Sequence, residues 1–161
     1  MHDRLRIIVT ISIRRADPSE AEQLTAIAHA AKRHWGYPES WIEEWQADLT
    51  ITSEFIAANE VFVAIVNDEI AGCCALVVTD KLAEIEHMWI RPELMGGGVG
   101  RALFEYARDR AKELRLAVLE LSADPNAEGF YERMGAMRVG DVAAAMTGAE
   151  ARALPRMRIQ L

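Results

Sequence analysis

The stretch Ala83-Glu84-Ile85-Glu86-His87-Met88-Trp89-Ile90-Arg91-Pro92-Glu93, followed two residues later by Gly96-Gly97-Gly98-Val99-Gly100-Arg101-Ala102-Leu103, decides how the rest of the chain is read. Ala83 to Ile90 predicts a strand that ends at Pro92. Arg101 to about Leu114 predicts an amphipathic helix whose buried stripe is Leu103, Ala107, Ala111 and Leu114. The glycine cluster lies between them. Backbone amides freed of side chains can converge on an anion there, and the helix behind adds its positive dipole end. Phosphate suits such a cradle; a plain glycine turn is the alternative. No Gly-Lys-Ser/Thr follows, which excludes a P-loop, and Leu103 stands where a dinucleotide fingerprint starting at Gly98 needs glycine.

Toward the N-terminus, Ile7, Val9, Ile11 and Ile13 alternate with their neighbours and predict a strand. Arg14 and Arg15 follow without a small-residue cleavage site, so the segment does not read as a signal peptide. Asp17-Pro18-Ser19-Glu20 supplies an N-cap, a proline at the first helical position and an acid two residues on. Leu24, Ile27, Ala28 and Ala31 form the apolar stripe of the helix that follows. A second helix is expected over Glu39 to Leu49, with Trp41, Ile42, Trp45 and Leu49 on one side. Val61 to Val66 and Ile70 to Val78 read as a hairpin turning at Asn67-Asp68-Glu69. Toward the C-terminus, Ala117 to Leu121 predicts a short strand and Glu128 to Met134 a short helix stopped by Gly135. The last strands are expected near Ala136 to Val139 and Arg156 to Leu161, with no assignment for Gly140 to Ala153. Strands alternating with helices make an α/β (α+β) chain, and the early hairpin makes its sheet mixed.

Composition agrees with one domain over residues 1–161. Of 161 residues, 51% are hydrophobic and 27% charged, the balance of a globular chain and not of a disordered one. The longest uncharged run, Ile70 to Thr79, falls well short of the roughly 20 residues of a membrane span. The net charge of −7 argues against nucleic acid as the main partner. The only cysteines, Cys73 and Cys74, are adjacent and cannot staple distant segments, so a reducing cytoplasm is expected. No metal-ligand spacing is visible.

The strand, glycine loop and helix start resemble the central motif of the GNAT superfamily of N-acetyltransferases. Ala123-Asp124-Pro125-Asn126-Ala127-Glu128-Gly129-Phe130-Tyr131-Glu132-Arg133-Met134-Gly135-Ala136 is similar to that superfamily's second motif. The family's loop pattern is arginine or glutamine, two residues, glycine, one residue, then glycine or alanine. With its glycines on Gly98 and Gly100, Met95 stands at the basic or amide position; the register on Gly96 and Gly98 would put acidic Glu93 there. The resemblance implies a mostly antiparallel, twisted sheet of about six to seven strands, with helices on both faces and two splayed central strands. It also implies acetyl-CoA as co-substrate. The pantetheine arm would lie in the gap against backbone near Met88, Trp89 and Ile90. The pyrophosphate would sit on the amides of Met95, Gly96, Gly97, Gly98, Val99, Gly100 and Arg101. Asn126 would be near the arm, with Phe130 packed beside it.

Tyr131 matches the family's frequent general acid. With a thiol pKa of about 8.5 and a phenol of about 10, a tyrosine can protonate a departing thiolate without being ionised itself. An aromatic anchor for a short helix is the alternative role. On an unbroken strand Glu84, Glu86 and Met88 share one face, and Ile85, His87 and Trp89 the other. Glu84 or Glu86 could therefore take a proton from an ammonium acceptor, Glu84 being the one that aligns with the base of some members. Solvated cross-strand acids are the alternative. His87 reads as a core or interface histidine. In the aromatic segment His34-Trp35-Gly36-Tyr37-Pro38, Tyr37 is the candidate for the acceptor pocket, and Trp41 and Trp45 read as core. The expected function is acetyl transfer from acetyl-CoA to a primary amine, on a small molecule or peptide, in a ternary complex. A non-catalytic acetyl-CoA-binding sensor or partner module is the alternative, and a homodimer stays open.

Overall fold

The chain is described here by a computed structural model covering residues 10–144 and 152–161. Its strands are β1 (Ser12–Arg15), β2 (Glu60–Val66), β3 (Glu69–Thr79), β4 (Leu82–Ile90), β5 (Val118–Ser122), β6 (Met137–Ala144) and β7 (Arg152–Gln160). They form one seven-stranded sheet in the order β1-β2-β3-β4-β5-β7-β6. Only β4 and β5 run parallel; every other neighbouring pair is antiparallel. The expected mixed, mostly antiparallel sheet is the one observed. The helices are α1 (Ala21–His34), α2 (Glu39–Glu44), α3 (Gln46–Leu49), α4 (Ser53–Ala58), α5 (Val99–Glu113) and α6 (Glu128–Arg133).

Local chemistry accounts for most boundaries. Asp17 accepts from the Ser19 amide while Glu20 reaches back to the Asp17 amide, a capping box that opens a 3-10 turn leading into α1. Leu24, Ile27, Ala28 and Ala31 are its buried residues, as their spacing predicted. Asn67 and Asp68 take φ of 51° and 62°, so β2 and β3 are joined by a two-residue loop whose left-handed backbone follows the strand twist. The single helix expected over Glu39 to Leu49 is broken at Trp45 into α2 and α3. Thr52, whose side chain caps the Phe55 amide, starts α4, which the sequence reading left unassigned. Of the N-terminal alternation, Ile7 and Val9 lie outside the described residues; the strand itself is Ser12–Arg15. The unassigned tract contains the ends of β6 and β7, and the rest of it lies outside the described residues.

The sheet carries a core on each face. Under α5 and α6 lie Phe62, Cys74, Leu76, Leu103, Phe104, Leu119, Tyr131 and Met157; under α1 and α4 lie Leu24, Ile27, Ile51, Ile56, Val61, Val63 and Cys73. The adjacent cysteines thus face opposite cores, both fully buried.

Two irregularities in β4 shape everything that follows. Leu76 pairs with Ile85 but Ala75 pairs with His87, so Glu86 is an extra residue in the ladder, a β-bulge. The bulge overturns the strict alternation expected for this strand. Ala83, Ile85, Met88 and Ile90 pack on the α5 side, while His87 meets Phe55 and Trp89 packs with the core beneath α1. Met88 therefore does not share a face with the two glutamates. The second irregularity is that β4 and β5 pair only from Leu82↔Val118 to Glu84↔Glu120, although β4 continues to Ile90. The central strands splay there, as the resemblance implied.

His87 is 7% exposed, and burial pushes its imidazole down to about 4. Its Nδ1 accepts from Trp89 Nε1 at 3.0 Å, which requires the neutral ring. The unfolded chain binds this proton near pH 6.5 and the folded chain only near 4, so stability is full above 6.5 and declines as pH falls toward 4. His87→Leu should flatten that part of a thermal-unfolding pH profile by up to about 3 kcal/mol. An unchanged slope would assign the loss to other groups.

Candidate active site

Where β4 leaves β5, a cleft of about 570 Å³ opens between the strands. One wall is β4, with Glu86, Met88, Trp89 and Ile90. The loop into α5 adds Met95, Gly96, Gly98, Gly100 and Arg101. The β5 end and α6 add Ser122, Asp124, Asn126, Phe130, Tyr131 and Arg133, and α1 with the residue after it adds Ala31 and Trp35.

The backbone of the loop has a geometry that suits an anion. Gly98 sits at the N-cap of α5 with φ +89°, a left-handed conformation that side chains resist. The first backbone bond of the helix runs from the Ala102 amide to Gly98 O at 3.0 Å, which leaves the amides of Val99, Gly100 and Arg101 without a helical partner. A Cβ at Gly100 would stand 3.4 Å from the Phe130 ring, so the loop and α6 approach closely there. Met95 lines the cleft at the position where the family pattern has a basic or amide group. Gly97 and Val99 do not line it: the Gly97 amide is turned to Leu94 O at 3.3 Å, and Val99 is 3% exposed in the core. Arg101, bonded to Glu105 at 2.9 Å, and Arg133 bring two cations to the cleft. Arg133 was missed from sequence because a charged residue on a short helix carries no periodic signal.

The two candidate bases part company. Glu84 does not line the cleft. Its carboxylate accepts from Arg156 Nη1 at 2.8 Å, and Arg156 also bonds Glu120 at 2.7 Å, so these groups lock the paired base of β4, β5 and β7. Glu86, on the bulge, does line the cleft. Desolvation raises its pKa, with Glu84 and Asp48 adding repulsion against a smaller opposing effect of Arg156. Tyr131 faces the same space, 6% exposed, and burial holds its phenol well above the ordinary value, with the Asp124 carboxylate acting in the same direction. No hydrogen bond of its hydroxyl is made within the described residues. A carboxylate with raised proton affinity and a protonated phenol can serve as acceptor and donor in one cleft.

In the aromatic segment, Trp35 lines the cleft and Tyr37 does not. Tyr37 sits behind the wall, its hydroxyl 3.0 Å from both Asp124 oxygens and accepting from Arg152 Nη2 at 2.7 Å. Trp41 and Trp45 gather around it, with ring centroids 6.0 and 5.0 Å from that of Tyr37.

The sequence profile of the Acetyltransferase (GNAT) family matches residues 23–136. No curated protein sequence matches the chain significantly. Among solved structures, the chain is similar to the PaiA N-acetyltransferase of Thermoplasma acidophilum in complex with coenzyme A, with TM-score 0.73 and 19% identity over 94% of this chain and 99% of that one. It is also similar to the GCN5-related N-acetyltransferase from Rhodopseudomonas palustris, with TM-score 0.78 and 21% identity over 94% and 96%. The ribosomal-protein-S18-alanine N-acetyltransferase of Escherichia coli gives TM-score 0.68 and 18% identity over 94% of each chain. At these identities the likeness is one of fold.

Two substitutions test the cradle with coenzyme A as probe. Gly100→Val places branched carbons against Phe130 and should weaken calorimetric binding by tenfold or more, about 1.4 kcal/mol, with the helix signal in circular dichroism retained. Met95→Arg should tighten binding, by at most the roughly 1.5–3 kcal/mol of a charge-assisted contact. Weaker binding in the arginine variant would make Met95 a packing residue.

Proposed function

The chain belongs to the GNAT acetyltransferase family, and on that premise we propose that it moves the acetyl group of acetyl-CoA to a primary amine by direct attack while both are bound. The observation that carries this reading is the convergence of an amide cradle, Asn126, Glu86 and Tyr131 on one cleft between parted strands. The residues present fit the cofactor: unpartnered amides at the start of α5 suit a pyrophosphate, and Arg101 and Arg133 suit further phosphate charge. Acetyl-CoA supplies, when bound, a thioester whose carbonyl carbon an amine can attack, with the C–N bond forming as the C–S bond breaks.

The chain's own residues then have defined work. Glu86 takes the proton that an ammonium acceptor must lose, directly or through water, and its raised pKa strengthens it as an acceptor. Tyr131 holds a proton for the departing sulfur and is replenished from solvent. Met88, Trp89 and Ile90 lie on β4 beyond its last pairing with β5, where backbone groups are free to orient an extended ligand. Trp35 and Ala31 border the side from which an acceptor enters. Much of the acceleration in such a site comes from holding amine and thioester in contact.

Tyr131→Phe keeps the ring packed against Phe104 and Phe130 but removes the donor. Turnover should fall by about 10²–10⁴ with coenzyme A affinity little changed. Glu86→Gln should flatten the acidic limb of the pH–rate profile, and that limb should lie above the ordinary carboxylate value of 4.5 because the Glu86 pKa is raised. A Tyr131→Phe enzyme with full turnover on a good amine would hand the donor role to water. Failure of every amine to release CoA from a protein that binds acetyl-CoA would leave a binding module.

A further inference from the structure

Asp124, at the end of β5, gathers segments that are remote in the chain. Its carboxylate accepts from Lys32 Nζ of α1 at 2.6 Å, from the Tyr37 hydroxyl at 3.0 Å, and from both the backbone amide and the Nδ2 of Asn126 at 2.9 Å. Asn126 Nδ2 also lies 3.0 Å from the Tyr37 oxygen, which closes the set into a ring of hydrogen bonds. The Lys32–Asp124 pair is sheltered, each side chain 12% exposed. Aromatic faces seat the cations around it. Lys32 Nζ is 4.6 Å from the Trp45 centroid, and the Arg152 guanidinium carbon is 4.7 Å from that of Tyr37. Asp124 and Asn126 both line the cleft, as does Ala31 of α1, next to Lys32.

One carboxylate therefore holds the Asn126 amide and ties down α1 through Lys32. We propose that Asp124 is a positioning residue for acetyl transfer, setting the Asn126 side chain against the cofactor arm and fixing the α1–Tyr37 wall relative to it. This rests on the acetyl-CoA reading above. The geometry favours positioning over direct chemistry because the carboxylate's acceptor sites are taken by Lys32, Tyr37 and Asn126. An amide group held from two sides loses little further freedom when it meets a ligand, and releasing it makes binding weaker.

The test is a cycle of Asp124→Asn and Asn126→Ala read by calorimetric titration with coenzyme A, with thermal unfolding followed in parallel. Asp124→Asn alone leaves Lys32 sheltered without a counter-charge and can unfold the chain, so the cycle is also run in a Lys32→Met background. Asp124→Asn should weaken coenzyme A binding by about tenfold, the scale of one lost charge-assisted hydrogen bond. Asn126→Ala should do the same, and the double variant should be no worse than either. A lowered melting temperature with unaltered affinity, or fully additive losses, would overturn the proposal and leave Asp124 a purely structural link. Should the unaltered chain fail to bind coenzyme A, the cofactor reading falls and this one with it. Equal binding by the parent and the Asp124→Asn variant removes the positioning role alone.

Discussion

The parting of β4 from β5 beyond Glu84↔Glu120 is the constraint on which the site depends. Inside a sheet each strand's amides and carbonyls are satisfied by two neighbours, and losing one exposes a row of polar groups. The parted strands keep their apolar flanks covered by α1 and α5, so the opening is a narrow slot and not a frayed edge. The bulge at Glu86 supports this, since an extra residue increases local twist and turns β4 away from its parallel partner. Below the slot, Arg156 grips Glu84 and Glu120 while Arg158 holds the other side of Glu120. The strands are thus held together by charge up to Glu84, and the inserted residue stands where they begin to part.

This arrangement divides two glutamates that look alike. Glu84 is spent on an ion pair with Arg156, and Glu86 is left to the cleft, where neighbouring acid and reduced solvation favour its neutral form. Two positions along one strand are enough to separate a structural acid from one able to exchange protons. The guanidinium that makes the difference comes from β7, seventy-two residues beyond Glu84.

The fold was legible wherever a local pattern carries the information. The α1 stripe, the hairpin turn, the glycine-led start of α5 and the short helix with Tyr131 were all readable because period, cap and turn chemistry are sequence-local. The bulge was not, because it depends on how β3 and β4 align, and this displaced Met88 from the face assigned to it. Trp45 as a helix break was also unreadable, since it depends on what the short segments pack against, whereas α4 carries a local signal, the Thr52 cap, that the sequence reading passed over. At the site, the motif residues Glu86, Met88, Gly98, Gly100, Asn126, Phe130 and Tyr131 come together in one cleft, whereas Glu84, Gly97 and Val99 do not line it. Asp124 could not be given a role, because its partners Lys32 and Tyr37 lie on other elements, and neither Trp35 nor Arg133 stands in a pattern that marks a cleft residue. Tyr37 looked like a pocket residue from its setting in a turn, but its hydroxyl is consumed by Asp124 and Arg152.

The adjacent cysteines offer an intrinsic reporter. Cys73 and Cys74 are sealed into opposite cores, and burial pushes the Cys73 thiol up to about 12 and that of Cys74 higher still. Thiolate, the species that reacts with alkylating reagents and peroxide, is therefore scarce while the sheet is intact. Because each sulfur sits under a different layer of helices, the rate at which each is capped records the opening of one layer separately from the other. Fragment ions split between the two residues of the labelled peptide then distinguish a molecule that loosens on the α1 side from one that loosens beneath α5.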